Sequence, residues 1–190
     1  MIRATLPGEP GGPISPQRAT LEDASSQDPE PAGRPRRAAS AWFFAAAAVL
    51  VLIADQVTKV AAENALAAHG ASIPVIGRVV SLSRAHNTGA VFGLLPGSVG
   101  SLTIISLILC LAIVAFATHA LGRSRLMTVA LALTLGGAAG NLADRVWLGY
   151  VRDFLGIGFW PAFNLADAAI TVGVLLVLAH LLAGGRREPA

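Results

Sequence analysis

Beyond residue 40 the chain carries six acidic side chains, and four of them, Asp55, Asp144, Asp153 and Asp167, fall where apolar stretches end. Ionisable groups at membrane depth are costly, so they face a bundle interior or a water-filled cavity and mark function by default. Helix capping or an interface explains any single acid equally well. The surroundings of two of them argue for more: Asn141-Leu142-Ala143-Asp144 and Asn164-Leu165-Ala166-Asp167 each place an amide and a carboxylate at i and i+3 on one helix face. Packing alone does not account for two such pairs at one level. Asp153, in Val151-Arg152-Asp153-Phe154, lies between them in sequence, where apolar neighbours can fold it back over the bundle. Two carboxylates converging at a water-accessible membrane edge repel each other, which raises one pKa until the pair shares a proton. The ionised member can then take a proton from a water attacking an amide carbonyl while the protonated member hydrogen-bonds the carbonyl oxygen. Spacing alone does not prefer Asp153 over Asp144 as the partner of Asp167.

Other chemistries have less to build on. The single lysine, Lys59, would have to serve any Ser-Lys dyad, with an unmarked partner such as Ser81 or Ser83. The histidines His69, His86, His119 and His180 are dispersed without metal-ligand spacing, and the lone Cys110 excludes both a disulfide framework and a cysteine-based zinc site. No metal and no cofactor are expected. Asp144 is expected to pack with its neighbour Arg145.

These groups need a frame, and composition says which kind. The 190 residues are 54% hydrophobic and only 13% charged, with a mean hydropathy of +0.65, against about 25% charged in a typical soluble domain. A water-soluble globule is excluded. Residues 1–40 hold seven of the eleven prolines and ten of the twenty-five charges; too little apolar surface remains there to offset the entropy of ordering, so a disordered tail is expected. The remainder divides into four predicted spans, at about 41–62, 99–121, 126–145 and 161–183, the last opening at Pro161, a residue suited to a first helical turn. Residues 184–190 form a second, short tail.

Arg34, Arg36 and Arg37 precede span one, Arg123 and Arg125 fill the turn between spans two and three, and Arg186 and Arg187 follow span four. The positive-inside rule therefore puts both termini in the cytoplasm and the acids at the outer face. The basic residues fall in small groups beside apolar stretches, which explains a pI near 10 by topology without a nucleic-acid partner. In the first outer connection, Val75-Ile76 and Val79-Val80-Ser81-Leu82-Ser83 are β-prone pieces bounded by Pro74, Gly77 and the turn-forming Asn87-Thr88-Gly89, so a small outer sheet is expected. The connection at 146–160 is read as a loop. Gly136 and Gly140 are spaced to let a neighbouring backbone approach closely.

Five blocks stand in order along residues 41–183: Asp55-Gln56-Val57-Thr58-Lys59, Asn87-Thr88-Gly89-Ala90-Val91-Phe92-Gly93, Gly136 to Arg145, Val151-Arg152-Asp153-Phe154 and Phe163-Asn164-Leu165-Ala166-Asp167. In these the chain closely resembles the bacterial lipoprotein signal peptidases, the signal peptidase II family. The resemblance implies an all-α membrane protein of four transmembrane helices with a small extracytoplasmic β-cradle. Such a protein is an aspartic endopeptidase of the bacterial inner membrane, acting among membrane lipid on prolipoproteins that already carry diacylglycerol, and cutting just before the lipidated cysteine. By match to the family motifs, Asp153 and Asp167 are the catalytic dyad. Asp55, Lys59, Asn141, Asp144, Arg145, Asn164 and Ala166 are supporting residues, with Asn87 and Gly89 at the substrate backbone. The segment joining Asp153 to Asp167 is shorter than is usual in the family, and the proline-rich tail has no counterpart in its common core. Two other classes compete: a small proton- or ion-coupled transporter whose aspartates form a relay, and a membrane scaffold that uses polar residues as interhelical glue. Relay acids belong at the bilayer midplane, whereas spans two to four have uncharged centres.

Overall fold

The computed structural model describes residues 34–70, 72–77, 79–89, 99–122 and 124–184. The expected tail at 1–33, the second half of the Asn87–Gly93 block, and Arg78, Arg123, Arg186 and Arg187 lie outside the described residues. The first helix, α1, runs from Arg34 to His69. It takes in residues 34–40, read from sequence as tail, because Pro35 occupies a first turn where a missing N–H costs nothing and Ala38, Ala39 and Ala41 continue it. It also runs past Ala62. Leu66 and Ala62 are buried there, and the helix stops at Gly70, whose left-handed φ of 105° lets its N–H reach the Leu66 carbonyl at 3.0 Å.

Three further helices follow: α2 (Val99–Ala120), α3 (Arg125–Leu148) and α4 (Leu165–Gly184). All four are long and apolar enough to cross a membrane. In α3 the buried share of the apolar window is 61%, against 17% in each of the others, so α3 is the hub and its neighbours turn most of their surface outward. Small residues make that possible. A Cβ added to Gly136 would stand 2.5 Å from the Ala48 carbonyl oxygen of α1, and one on Gly137 would stand 2.5 Å from the Ala166 carbonyl oxygen of α4. The close approach expected at Gly136 is thus present, with Gly137 giving a second, toward α4. Ser124 caps α3 by accepting from the Met127 N–H at 3.3 Å, and Gly149, in the left-handed region, closes it through a bond to the Arg145 carbonyl.

The expected sheet is present and larger than the sequence suggested. Strands β1 (Ser72–Ile76) and β2 (Val80–Asn87) contain the β-prone pieces, β3 (Val151–Ile157) arises from the connection read as a loop, and β4 (Trp160–Phe163) takes up residues 161–163, read as the start of span four. The order is β1-β2-β3-β4, antiparallel throughout. β3 escapes a sequence pattern because Arg152, Asp153 and Gly156 interrupt its apolar residues; pairing with β2, in the register Ala85 to Asp153 and Asn87 to Val151, supplies what propensity does not. Pro161 lies within β4, not in a first helical turn, and α4 begins only after Asn164.

Candidate active site

The start of α4 shows how local rules fix one carboxylate. Asn164 Oδ1 accepts from the Asp167 N–H at 2.9 Å, and Asp167 Oδ2 accepts from the Asn164 N–H at 3.2 Å. This reciprocal pair is a capping box built from Asn and Asp, and it outcompetes Pro161 as the point where the helix begins. The other Asp167 oxygen, Oδ1, accepts from Asn141 Nδ2 on α3 at 2.8 Å.

The second carboxylate arrives on the sheet. β3 alternates its side chains, so Asp153 points to one side and Arg152 to the other. Asp153 is 4% exposed; its Oδ1 accepts from Asn164 Nδ2 at 2.7 Å and its Oδ2 from Asn87 Nδ2 at 3.0 Å. Asn164, fully buried, therefore binds both acids, Asp167 through its oxygen and main-chain N–H, and Asp153 through its amide nitrogen. Burial, reinforced by the negative charge of Asp167, pushes Asp153 up to about 6, against the hydrogen bonds from Asn87 and Asn164, which favour its ionised form. Asn87 is itself fixed, its Oδ1 accepting from the Gly89 N–H at 3.1 Å in an Asx turn.

A fully buried ion cluster lies beneath. Lys59 Nζ sits 2.8 Å from Asp55 Oδ2 and 3.1 Å from Asp144 Oδ2, with all three side chains at 0% exposure. The same ammonium donates to Asn141 Oδ1 at 3.1 Å, which turns the Asn141 amide nitrogen toward Asp167. Asp55 Oδ1 accepts from the Ala166 N–H at 2.9 Å, placing a carboxylate on the positive end of α4. Gly140 makes room for it, since a Cβ there would stand 2.5 Å from Asp55 Oδ2.

Every supporting residue expected from the sequence lies in this one network, but Asp144 is not paired with Arg145. Arg145 is drawn to the Asn141 carbonyl at 3.3 Å, within electrostatic reach of Asp167, Asp153 and Asp144 but without a direct ion pair to Asp144. Asp144 instead meets Lys59 and Arg152, because neighbours in a helix point in different directions. Three participants were not singled out from sequence. Gln56 donates to Asp144 Oδ1 at 3.1 Å and Asp55 Oδ2 at 3.2 Å; Arg152 donates to Asp144 Oδ1 and to Gln56 Oε1, each at 2.7 Å; Glu63 pairs with Arg152 at 3.3 Å. The signal for Gln56 was its place beside Asp55. Arg152 had the matching signal, its place beside Asp153 in Val151-Arg152-Asp153-Phe154, and Glu63 had none, since it meets Arg152 only when β3 lies against α1.

Comparison with known proteins decides what such a site belongs to. The family described as Signal peptidase (SPase) II matches residues 47–183. The chain belongs to the signal peptidase II family. A lipoprotein signal peptidase of Moorella thermoacetica is 41% identical over 149 residues, covering 77% of this chain and 99% of that protein. One from Pseudomonas putida is 39% identical over 171 residues, 84% of this chain and 96% of that protein. A bacterial membrane enzyme structure determined by the in meso method superposes with a TM-score of 0.69 at 34% identity, covering 77% of this chain and 92% of the other. The protein is accordingly a multi-pass membrane protein and a protease of the signal peptidase II type. The transporter alternative finds no support in these matches.

Proposed function

We infer that the chain is an aspartic endopeptidase that removes signal peptides from diacylglyceryl-modified prolipoproteins, cutting just before the lipidated cysteine, with Asp153 and Asp167 as the dyad. The observation that carries this reading is the single buried Asn164 joining both carboxylates. Asp153, held near 6, keeps the shared proton. Asp167, fixed as an acceptor by Asn141 and Asn164, takes a proton from water as the water oxygen bonds to the scissile carbonyl carbon. The carbonyl oxygen, hydrogen-bonded by the Asp153 proton, becomes the hydroxyl of a tetrahedral intermediate. The proton on Asp167 then passes to the amide nitrogen, the C–N bond breaks, and Asp153 recovers its proton as the new carboxyl forms. The signal peptide leaves with a free C-terminus and the lipoprotein with a free amino group on its cysteine. Lys59, Asp55, Asp144 and Arg145 stay outside proton transfer and hold Asn141 and the α4 N-terminus in place. Asn87 and the adjoining Gly89 flank the substrate backbone. The site opens at the extracytoplasmic face of the bacterial inner membrane, with both termini cytoplasmic.

The test is incubation of purified protein with a precursor carrying or lacking the diacylglyceryl group, followed by mass analysis of the new N-terminus. Cleavage of the modified precursor alone, before its cysteine, is expected. Equal cleavage of both, or full activity in Asp167→Asn, would overturn the reading.

A further inference from the structure

Arg152 stands immediately before Asp153 in β3, yet its side chain points away from Asp153 into the buried cluster. Its Nη2 donates to Asp144 Oδ1 at 2.7 Å, its Nε to Asp144 Oδ2 at 3.3 Å, and its main-chain N–H to the same Oδ2 at 3.0 Å. Asp144 is thus gripped three times by one residue, by a fork at the side chain and by the backbone that leads into Asp153. The same Nη2 donates to Gln56 Oε1 at 2.7 Å, and Nη1 reaches Glu63 Oε2 at 3.3 Å. The arginine side chain is 12% exposed, against 36% for Glu63 and 0% for Asp144. It is therefore an interior clamp from the sheet to α1 and α3, not a surface ion pair.

Two consequences follow from elementary chemistry. Charge is one. Asp55 and Asp144 are two buried negative charges and Lys59 one positive charge, so Arg152 offsets the remaining negative charge of these buried groups, and Glu63 meets it from the more exposed side. Position is the other. Asp153 reaches the dyad on a strand, while Asp167 reaches it on a helix docked to α3; the clamp is the side-chain link that ties that strand to α3 within one residue of the reacting carboxylate. A planar guanidinium sets distance and orientation together, which a point charge does not.

We propose that Arg152 is the positioning residue of the dyad: by clamping β3 to Asp144, Gln56 and Glu63 it sets the height of Asp153 over Asp167 without touching substrate. This role rests on the Asp153–Asp167 dyad inferred above. Misplacement of a reacting group by about 1 Å costs on the order of 100-fold in rate, so the loss belongs in kcat.

The experiment compares membrane-inserted wild type, Arg152→Met, Arg152→Lys, Glu63→Gln and Asp153→Asn, each assayed well below its own Tm on a diacylglyceryl-modified precursor. For Arg152→Met, kcat falls about 10- to 100-fold while KM stays within about twofold. Arg152→Lys, which keeps charge and loses the fork, recovers part of that kcat. Glu63→Gln, which removes the outermost anchor from a half-exposed site, lowers kcat by a smaller factor and decides the matter if the arginine variants do not accumulate. An unchanged kcat in Arg152→Met or Glu63→Gln, a loss confined to KM, or Arg152→Lys no better than Arg152→Met overturns the proposal. Asp153→Asn separates the two levels: if it is inactive while Arg152→Met is normal, only the clamp fails; if Asp153→Asn keeps turnover, the dyad itself fails.

Discussion

Asp153 carries the clearest chemical signature in the molecule, and it sets a pH dependence whose sign can be worked out. Its folded value near 6 lies above the ordinary 3.8, so the folded chain holds a proton that the unfolded chain has lost between those values. The stability tied to this group is present in full below about pH 4 and is lost as pH rises to about 6, because there the unfolded state binds fewer protons. Tm in detergent is expected to fall across that window, and the corresponding slope to flatten in Asp153→Asn. Catalysis follows the same proton: kcat/KM is expected to decline as pH rises past about 6, where Asp153 loses its proton. Asp153→Asn and Asp167→Asn should each nearly abolish turnover, and the double variant should cost little more, since residues that act as a unit are strongly non-additive. A double variant far worse than either single one would mean that the two acids act independently. At this scale the sequence was legible wherever chemistry and spacing coincide, as in the Asn164–Asp167 box, whose two ends lie one helical turn apart. It was silent on Asp153 against Asp144, because a strand and a helix that meet in space leave no periodic trace; the family motif made that choice.

The elements hold these groups through small residues, and here packing gives a sharper expectation than polarity. A Cβ on Gly140 would stand 2.5 Å from Asp55 Oδ2, and one on Gly137 equally close to the Ala166 carbonyl oxygen, whereas Gly100 in α2 has nothing within 4 Å. Gly140→Ala and Gly137→Ala should each destabilise by about 1–3 kcal/mol, the usual cost of overpacking. Gly140→Ala should also lose activity, because the displaced Asp55 would release the Ala166 N–H at the start of α4. Gly100→Ala serves as the control, near neutral in Tm; equal effects at all three positions would show that α3 does not pack through these glycines. Helix positions were readable from apolar runs, but the ends were not. The first helix outran its apolar segment at both ends because alanine-rich flanks favour helix whether or not lipid surrounds them. Conversely α4 began later than Pro161 suggested, because a capping box with two reciprocal bonds outweighs a residue that merely tolerates a first turn.

At the scale of the whole molecule the decisive variable is direction across the membrane, and the four helices constrain it strongly. An even number of spans returns the chain to the side on which it started, so the two ends of the described bundle share a face. Which face follows from the arginines: Arg37 lies near the start of α1 and donates to the Thr118 carbonyl at the end of α2, and Arg125 opens α3, so a basic end of the bundle stands opposite the end that carries Asp153 and Asp167. On the positive-inside rule we propose that this basic end faces the cytoplasm. A reporter fused after Ala190 should therefore be cytoplasmic, and one inserted near Ala71, beyond the far end of α1, should be external. Moving the bias tests the cause: replacing Arg123 and Arg125 by neutral residues while adding arginines near Ala71 should produce a fraction of inverted molecules, and these should be inactive, since their dyad would face away from exported precursors. An external reporter at the C-terminus in the unaltered chain would place the aspartates on the wrong side and remove the basis for proposing that they act on exported substrates.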